Sequence, residues 1–197
     1  MEEYNIVICG VGGQGNILAS KIIAHSALKL GFNARVGETH GMSQRGGSVI
    51  SHVRFGDNVH GALTPEAHGD LMLAFEPIES LRYINYLKKD AYIILNTRPL
   101  IPISVNAGLA KYPDLDTIIE KLESVTKNII KVDASKIALE AGSIITLNIV
   151  MVGLSTRIPN FPIPKDQIIK SIEELVKPKF INLNLDALNK GANAYNM

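Results

Sequence analysis

Tyr4-Asn5-Ile6-Val7-Ile8-Cys9-Gly10-Val11-Gly12-Gly13-Gln14-Gly15, with Asn16 to Lys29 behind it, is the stretch on which the fold turns. Tyr4 to Cys9 is a short apolar run rich in β-branched residues, the glycines interrupt it, and a helical pattern follows until Gly31. The reading is strand, tight turn, helix. Gly10, Gly12 and Gly15 satisfy G-x-G-x-x-G in the strand-to-helix context that the motif needs. Glycines allow the backbone to come close to an anion, and a helix N-terminus offers free N–H groups and about half a positive charge. A phosphate or carboxylate would fit there, although the same glycines would also serve plain strand-helix packing. A dinucleotide site further requires an acidic residue at the end of the second strand. Glu38 lies near that region but reads as part of a glycine-rich loop.

Outward from this unit, Asn33 to Val36 reads as a second strand and Gly37 to Gly47 as a loop. Ser48 to Phe55 reads as a strand that forms an antiparallel hairpin with Val59 to Leu63 across the Gly56-Asp57-Asn58 turn. Leu71 to Phe75 and Ala91 to Asn96 are buried strands flanking a helix from Pro77 to about Leu87. Thr97 to Pro113, broken by prolines, is an irregular excursion. Asp116 to Val125 is an amphipathic helix, Asn128 to Val132 a strand, and Ala134 to Ala141 a short helix. Thr146 to Ser155 is apolar nearly all round, as a helix is when buried in the body or at a subunit contact. Helices over Pro164 to Val176 and Leu185 to Tyr195 close the chain. The alternation predicts one domain over residues 1–197, a three-layer α/β/α fold with a Rossmann-like, mostly parallel sheet and an antiparallel hairpin.

Composition narrows the function. Lys plus Arg number 20 against 19 Asp plus Glu, so no overall field recruits nucleic acid. No apolar run approaches the ~20 residues of a membrane span, and MEEYNIVICG is acidic where a signal peptide is basic, so the expected location is the cytoplasm. Cys9 is the only cysteine, whereas an iron–sulfur cluster takes about four thiolates. Any cluster is expected on another chain, and Cys9 reads as core filler. His40, His52, His60 and His68 lack metal-site spacing, so no metal site is expected. Neither a Walker lysine nor a nucleophile elbow is present.

The second constellation is Thr39-His40-Gly41-Met42-Ser43-Gln44-Arg45-Gly46-Gly47-Ser48-Val49. One arginine among glycines, serine and glutamine can clamp a carboxylate or phosphate, or can sit in a solvated turn. Together with Cys9 to Gly15, this string resembles the gamma-type subunits of 2-oxoacid:ferredoxin oxidoreductases. The H-G-M-S-Q-R-G-G version is similar, more narrowly, to the beta subunits of indolepyruvate ferredoxin oxidoreductases; pyruvate and 2-oxoisovalerate relatives usually carry Y-G-P-E-x-R-G-G there. Thr146-Leu147-Asn148 also matches a family pattern, and the resemblance covers essentially the whole chain.

The resemblance implies an accessory subunit of a complex that oxidatively decarboxylates aryl 2-oxoacids, joins the acyl group to coenzyme A and passes electrons to ferredoxin. It implies thiamine diphosphate and iron–sulfur clusters on a large partner subunit, and an isolated chain that is inactive. The expected cofactor-binding or substrate-orienting residues are Gly10, Gly12, Gly13, Gln14, Gly15, Glu38, His40, Ser43, Gln44, Arg45, Gly46 and Gly47, with no catalytic residue assigned to this chain. The motifs by themselves also admit a stand-alone dinucleotide- or coenzyme A-binding protein, and fold analogy cannot choose among these.

Overall fold

A computed structural model describes residues 1–40 and 46–195. Six strands form one sheet: β1 (Tyr4–Val11), β2 (Asn33–His40), β3 (Ser48–Gly56), β4 (Gly69–Ala74), β5 (Leu87–Asn96) and β6 (Ile129–Val132). Eight α-helices are α1 (Asn16–Lys29), α2 (Pro77–Arg82), α3 (Ile103–Asn106), α4 (Leu115–Glu123), α5 (Ala134–Glu140), α6 (Leu147–Ser155), α7 (Lys165–Leu175) and α8 (Ile181–Ala194). The strand order is β2-β3-β1-β4-β5-β6. β1, β4, β5 and β6 pair in parallel, and β3 runs against both β1 and β2, so β3 alone opposes the other five.

Two expectations change here. The antiparallel partner of Ser48 to Gly56 is not Val59 to Leu63 but β2 on one side and β1 on the other. The 57–68 segment forms no strand; it folds over the end of β3, where the Arg54 guanidinium donates to the carbonyls of Gly61 (3.1 Å) and Leu63 (3.2 Å). Residues 37–40, expected in a loop, continue β2. Gly37 is tolerated within the strand because Ala62 crosses close above it: a Cβ there would lie 3.0 Å from the Ala62 carbonyl oxygen. Smaller shifts affect β5, which begins at Leu87 after a 3-10 turn over Ile84–Tyr86, and α8, which begins at Ile181.

The side-chain alternation of β1 separates two cores. Ile6 and Ile8 face α1, α5, α6, α7 and α8 together with Phe55, Leu71 and Leu73. Val7 and Cys9 face the opposite layer, where Ile118 and Leu122 of α4 meet Met72 and Ile93. Being central and covered on both sides, β1 is buried from Asn5 to Val11, which accounts for its unbroken apolar run. All nine residues of α6 are buried within this chain, so its apolar character belongs to the body of the fold and not to a subunit contact. Its backbone comes so close to α8 that a Cβ on Gly191 would stand 2.2 Å from the Val150 carbonyl oxygen. Side-chain caps start α4 (Asp114 accepts from the Thr117 N–H, 2.7 Å) and α5 (Asp133 accepts from the Lys136 N–H, 2.8 Å), placing both helices squarely after their connections.

Candidate functional site

The glycine turn joins β1 to α1 at the end of the sheet where β1, β4, β5 and β6 all finish. Gly13 (φ +108°) and Gly15 (φ +85°) occupy the left-handed region that side-chain-bearing residues avoid. Gln14 folds back to staple the turn: its Oε1 accepts from the Val11 N–H (2.7 Å) and its Nε2 donates to the Phe75 carbonyl (3.0 Å). Gly10 makes room for that amide, since a Cβ would be 2.6 Å from the Gln14 Oε1. From the other side, Asn148 at the start of α6 donates its Nδ2 to the Gly15 carbonyl (3.1 Å). Within Thr146-Leu147-Asn148, Asn148 therefore has a structural task, which is to buttress the turn.

The two glycine motifs meet. The Gly12 N–H donates to the Gly47 carbonyl (2.9 Å) and the Gly46 N–H donates to the Gly12 carbonyl (3.4 Å), extending the β1–β3 ladder beyond Val11 and Ser48. Both polar groups of Gly12 are thereby engaged. The Gln14 N–H is bonded to the Val11 carbonyl (3.1 Å) and those of Leu18 and Ala19 to the Gly15 carbonyl (3.1 Å each), so the donors left to face an anion are the N–H groups of Gly13, Gly15, Asn16 and Ile17.

Beside the turn opens a cleft of about 430 Å³. Gly13 and Gln14 form one side; Arg98, Pro99 and Leu100, just past the end of β5, form another. Ser135 and the apolar Leu139, Ile144, Ile145 and Leu147 complete it. Arg98 is its single charged lining residue among those described. Ile144 and Ile145 are largely exposed in this chain, 47% and 65%. One guanidinium, a turn with a few N–H donors to spare and a greasy wall suit a ligand with an anionic group on an apolar arm.

The wall is anchored by buried polar groups at the strand ends. Asn96, the last residue of β5, donates to the Phe75 carbonyl (2.9 Å) and to the Ser135 Oγ (3.2 Å). Glu76, fully buried after β4, caps α2 through the Glu79 N–H (3.1 Å) and accepts from the Tyr112 hydroxyl (2.5 Å) and the Leu100 N–H (3.2 Å). Burial pushes the Glu76 carboxyl above the usual range, against the pull of those hydrogen bonds. Cys9 is buried in β1, and desolvation together with the neighbouring Glu79 and Glu76 carboxylates pushes its thiol well up. A neutral, enclosed thiol is neither a ready nucleophile nor a metal ligand. Among the described residues no group of three or more His, Cys, Asp or Glu is placed to hold a metal. One buried cysteine is also a poor match to the about four thiolates that hold an iron–sulfur cluster.

Of the residues expected to act, Gly10, Gly12, Gly13, Gln14, Gly15, Gly46 and Gly47 come together at the sheet end. Gly41, Met42, Ser43, Gln44 and Arg45 lie outside the described residues, as does the side chain of His40 at the end of β2. Glu38 is set apart from the turn. β3 lies between β2 and β1, which moves Glu38 two strand spacings, roughly 10 Å, from the strand carrying the glycines. Its carboxylate accepts from the Ser20 hydroxyl on α1 (3.2 Å). The ribose-binding arrangement of a dinucleotide fold is therefore not built. The sequence reading missed Arg98, Ser135 and the Leu139–Ile145 wall, although a basic residue just past a parallel strand is a usable signal in an open α/β sheet.

Residues 5–194 match the family model described as pyruvate ferredoxin/flavodoxin oxidoreductase. The chain is 48% identical over 195 residues to the indolepyruvate oxidoreductase subunit IorB of Pyrococcus horikoshii, covering 98% of this chain and 96% of that one. With the subunit of the same name from Archaeoglobus fulgidus it shares 50% identity over 191 residues, covering 97% and 94%. In fold it is similar to the gamma subunit of a keto/oxoacid ferredoxin oxidoreductase from Geobacter sulfurreducens (TM-score 0.72, 23% identity, 98% of both chains). It is also similar to 31% of a longer chain, the 2-oxoglutarate:ferredoxin oxidoreductase of Magnetococcus marinus with 2-oxoglutarate, coenzyme A and succinyl-CoA bound (TM-score 0.73, 17% identity, 100% of this chain). The chain belongs to the pyruvate ferredoxin/flavodoxin oxidoreductase family.

Proposed function

We propose that this chain is the accessory subunit of an indolepyruvate:ferredoxin oxidoreductase, working in a cytoplasmic complex that converts aryl 2-oxoacids and coenzyme A to acyl-CoA, carbon dioxide and reduced ferredoxin. The observation that carries this reading is identity of 48% and 50% to indolepyruvate oxidoreductase subunits over nearly the whole chain. Thiamine diphosphate and iron–sulfur clusters on the large partner subunit would supply the carbanion and electron-accepting chemistry.

This chain's share is geometry. The N–H groups of Gly13, Gly15 and the first residues of α1 offer backbone donors to a phosphate of coenzyme A, and Arg98 offers the charge. Leu100, Leu139, Ile144 and Ile145 receive the apolar part of the ligand and exclude water from it. Gly46 and Gly47, bonded to Gly12, belong to the same place. In this reading the Glu38 to Gly47 string, with His40, Ser43, Gln44 and Arg45, serves the partner's thiamine site or the coenzyme A path, and Arg45 steadies a carboxylate or phosphate. Glu38, exposed on the edge strand β2, orients the approach to it.

The test is Arg98→Ala in the assembled complex, assayed by low-potential dye reduction. Losing one charge-assisted contact of about 1.5 kcal/mol raises KM for coenzyme A roughly tenfold and leaves KM for indolepyruvate unmoved. Unchanged coenzyme A dependence would remove the cleft from the account.

A further inference from the structure

Residues 97–113 leave the end of β5, pass through the short α3 and return to α4. They bring Arg98 to Leu100 to the cleft, yet no strand or long helix holds them. Thr97 and Arg98 are tied to the strand ends, through the Thr97 N–H to the Val132 carbonyl (2.8 Å) and through the Asn96 amide to the Arg98 backbone (3.5 Å), and beyond them one carboxylate joins Leu100 to Tyr112. Glu76 Oε1 accepts from the Leu100 N–H (3.2 Å) near the start of the excursion and from the Tyr112 hydroxyl (2.5 Å) near its end. The Tyr112 oxygen in turn accepts from the Ile78 N–H (3.2 Å) in the first turn of α2. Both ends of a 17-residue irregular segment thus converge on two side chains, against the tip of β4 that also carries the Gln14 staple through the Phe75 carbonyl. Capping α2 alone would not call for this arrangement, because an exposed Ser or Asp performs that task without the desolvation cost of a fully buried carboxylate. Three accepted hydrogen bonds, from Glu79, Leu100 and Tyr112, offset that cost only while the excursion is seated.

We propose that Glu76 and Tyr112 are positioning residues that set the Arg98–Leu100 wall of the cleft and through it the affinity for the anionic, apolar-armed ligand. The seating of the wall stands on the geometry alone; its effect on coenzyme A rests on the cleft assignment made above. Neither side chain lines the cleft, so each acts through the wall and not by contact with the ligand.

The experiment uses Tyr112→Phe in the assembled complex, which keeps the ring and deletes the oxygen. Hydrogen exchange is measured on peptides spanning 97–113, and the steady-state constants are measured for coenzyme A and indolepyruvate. Losing a hydrogen bond to a carboxylate predicts about tenfold faster exchange confined to that segment. It also predicts a coenzyme A KM raised by up to about tenfold with kcat and the indolepyruvate KM unmoved. Glu76→Gln is the second variant: it keeps an accepting oxygen for Leu100 and Tyr112 but sets an amide NH2 against the Glu79 N–H, so exchange over 97–113 changes less than in Tyr112→Phe while the start of α2 exchanges faster. Unchanged exchange over 97–113 overturns the clamp, and faster exchange with an unchanged coenzyme A KM overturns its role in binding. If Arg98→Ala has no effect while Tyr112→Phe raises the coenzyme A KM, the clamp stands and only the charge assignment falls.

Discussion

Replacing Gly15 by alanine tests the glycine turn as a built device. Gly15 sits at φ +85°, where an L side chain costs about 1–2 kcal/mol. The new Cβ would stand 2.6 Å from the Asn148 Nδ2, so that amide has to swing away and its 3.1 Å bond to the Gly15 carbonyl is lost, a further ~1 kcal/mol. A stiffer unfolded chain returns about 0.5 kcal/mol. The net destabilisation is about 2 kcal/mol, which for a domain of this length lowers Tm by roughly 4–8 °C in a calorimetric or circular-dichroism melt. A double-mutant cycle separates the two contributions. With Asn148→Ala already in place there is no amide to displace and only the Cβ of that residue, 3.2 Å from the added carbon, remains close, so Gly15→Ala costs little beyond its backbone strain and the sites couple by about 1 kcal/mol. A neutral Gly15→Ala, or strictly additive effects, would refute the idea that Asn148 buttresses the turn.

Two further outcomes follow from the core. Gly191→Ala should destabilise by about 3 kcal/mol, because the added carbon meets the Val150 carbonyl oxygen at 2.2 Å and forces α6 from α8; helix propensity alone would stabilise by about 1 kcal/mol, so the sign of the change in Tm decides. His52 is buried on β3 beneath the 57–68 segment, and desolvation with the nearby Arg54 charge lowers its pKa from 6.5 to about 4. Its Nδ1 faces the Thr64 N–H (3.4 Å), a place for a lone pair and not for a proton. The unfolded chain therefore takes up a proton first, and stability falls between pH 6.5 and about 4 by as much as about 3 kcal/mol. Glu76 opposes this, since a raised carboxyl pKa favours the folded state as pH falls, so the comparison is with His52→Gln. The stability gap between wild type and His52→Gln should change by about 3 kcal/mol over that range in urea titrations; parallel curves would contradict the assignment.

Local pattern revealed what local physics determines. The Tyr4 to Gly15 unit, the βα alternation and the all-round apolar α6 were readable because burial on both faces leaves an unbroken apolar run and because a strand-turn-helix junction takes glycine. Sheet order is decided by distant contacts, so nothing in Ser48 to Gly56 announced that it would insert between β2 and β1 and draw Glu38 from the glycine turn. Gly37 read as a loop residue, when its small size is explained by Ala62 crossing over a strand. Lys88, Lys89 and Asp90 disguised the start of β5 because its exposed first half lacks the apolar signature of the rest. Arg98 was passed over as an exposed residue in an excursion without a motif; only the fold gives it a cleft to face.

The central claim, that this chain contributes shape and an anion cradle while a companion carries carbanion and electron chemistry, is tested most directly by reconstitution. Reduction of a low-potential dye by indolepyruvate and coenzyme A is followed with this chain alone, with the large subunit alone, and with both. The account predicts full turnover only from the mixture. Turnover by this chain alone, or stoichiometric iron and sulfide in it after purification free of any partner, would contradict it.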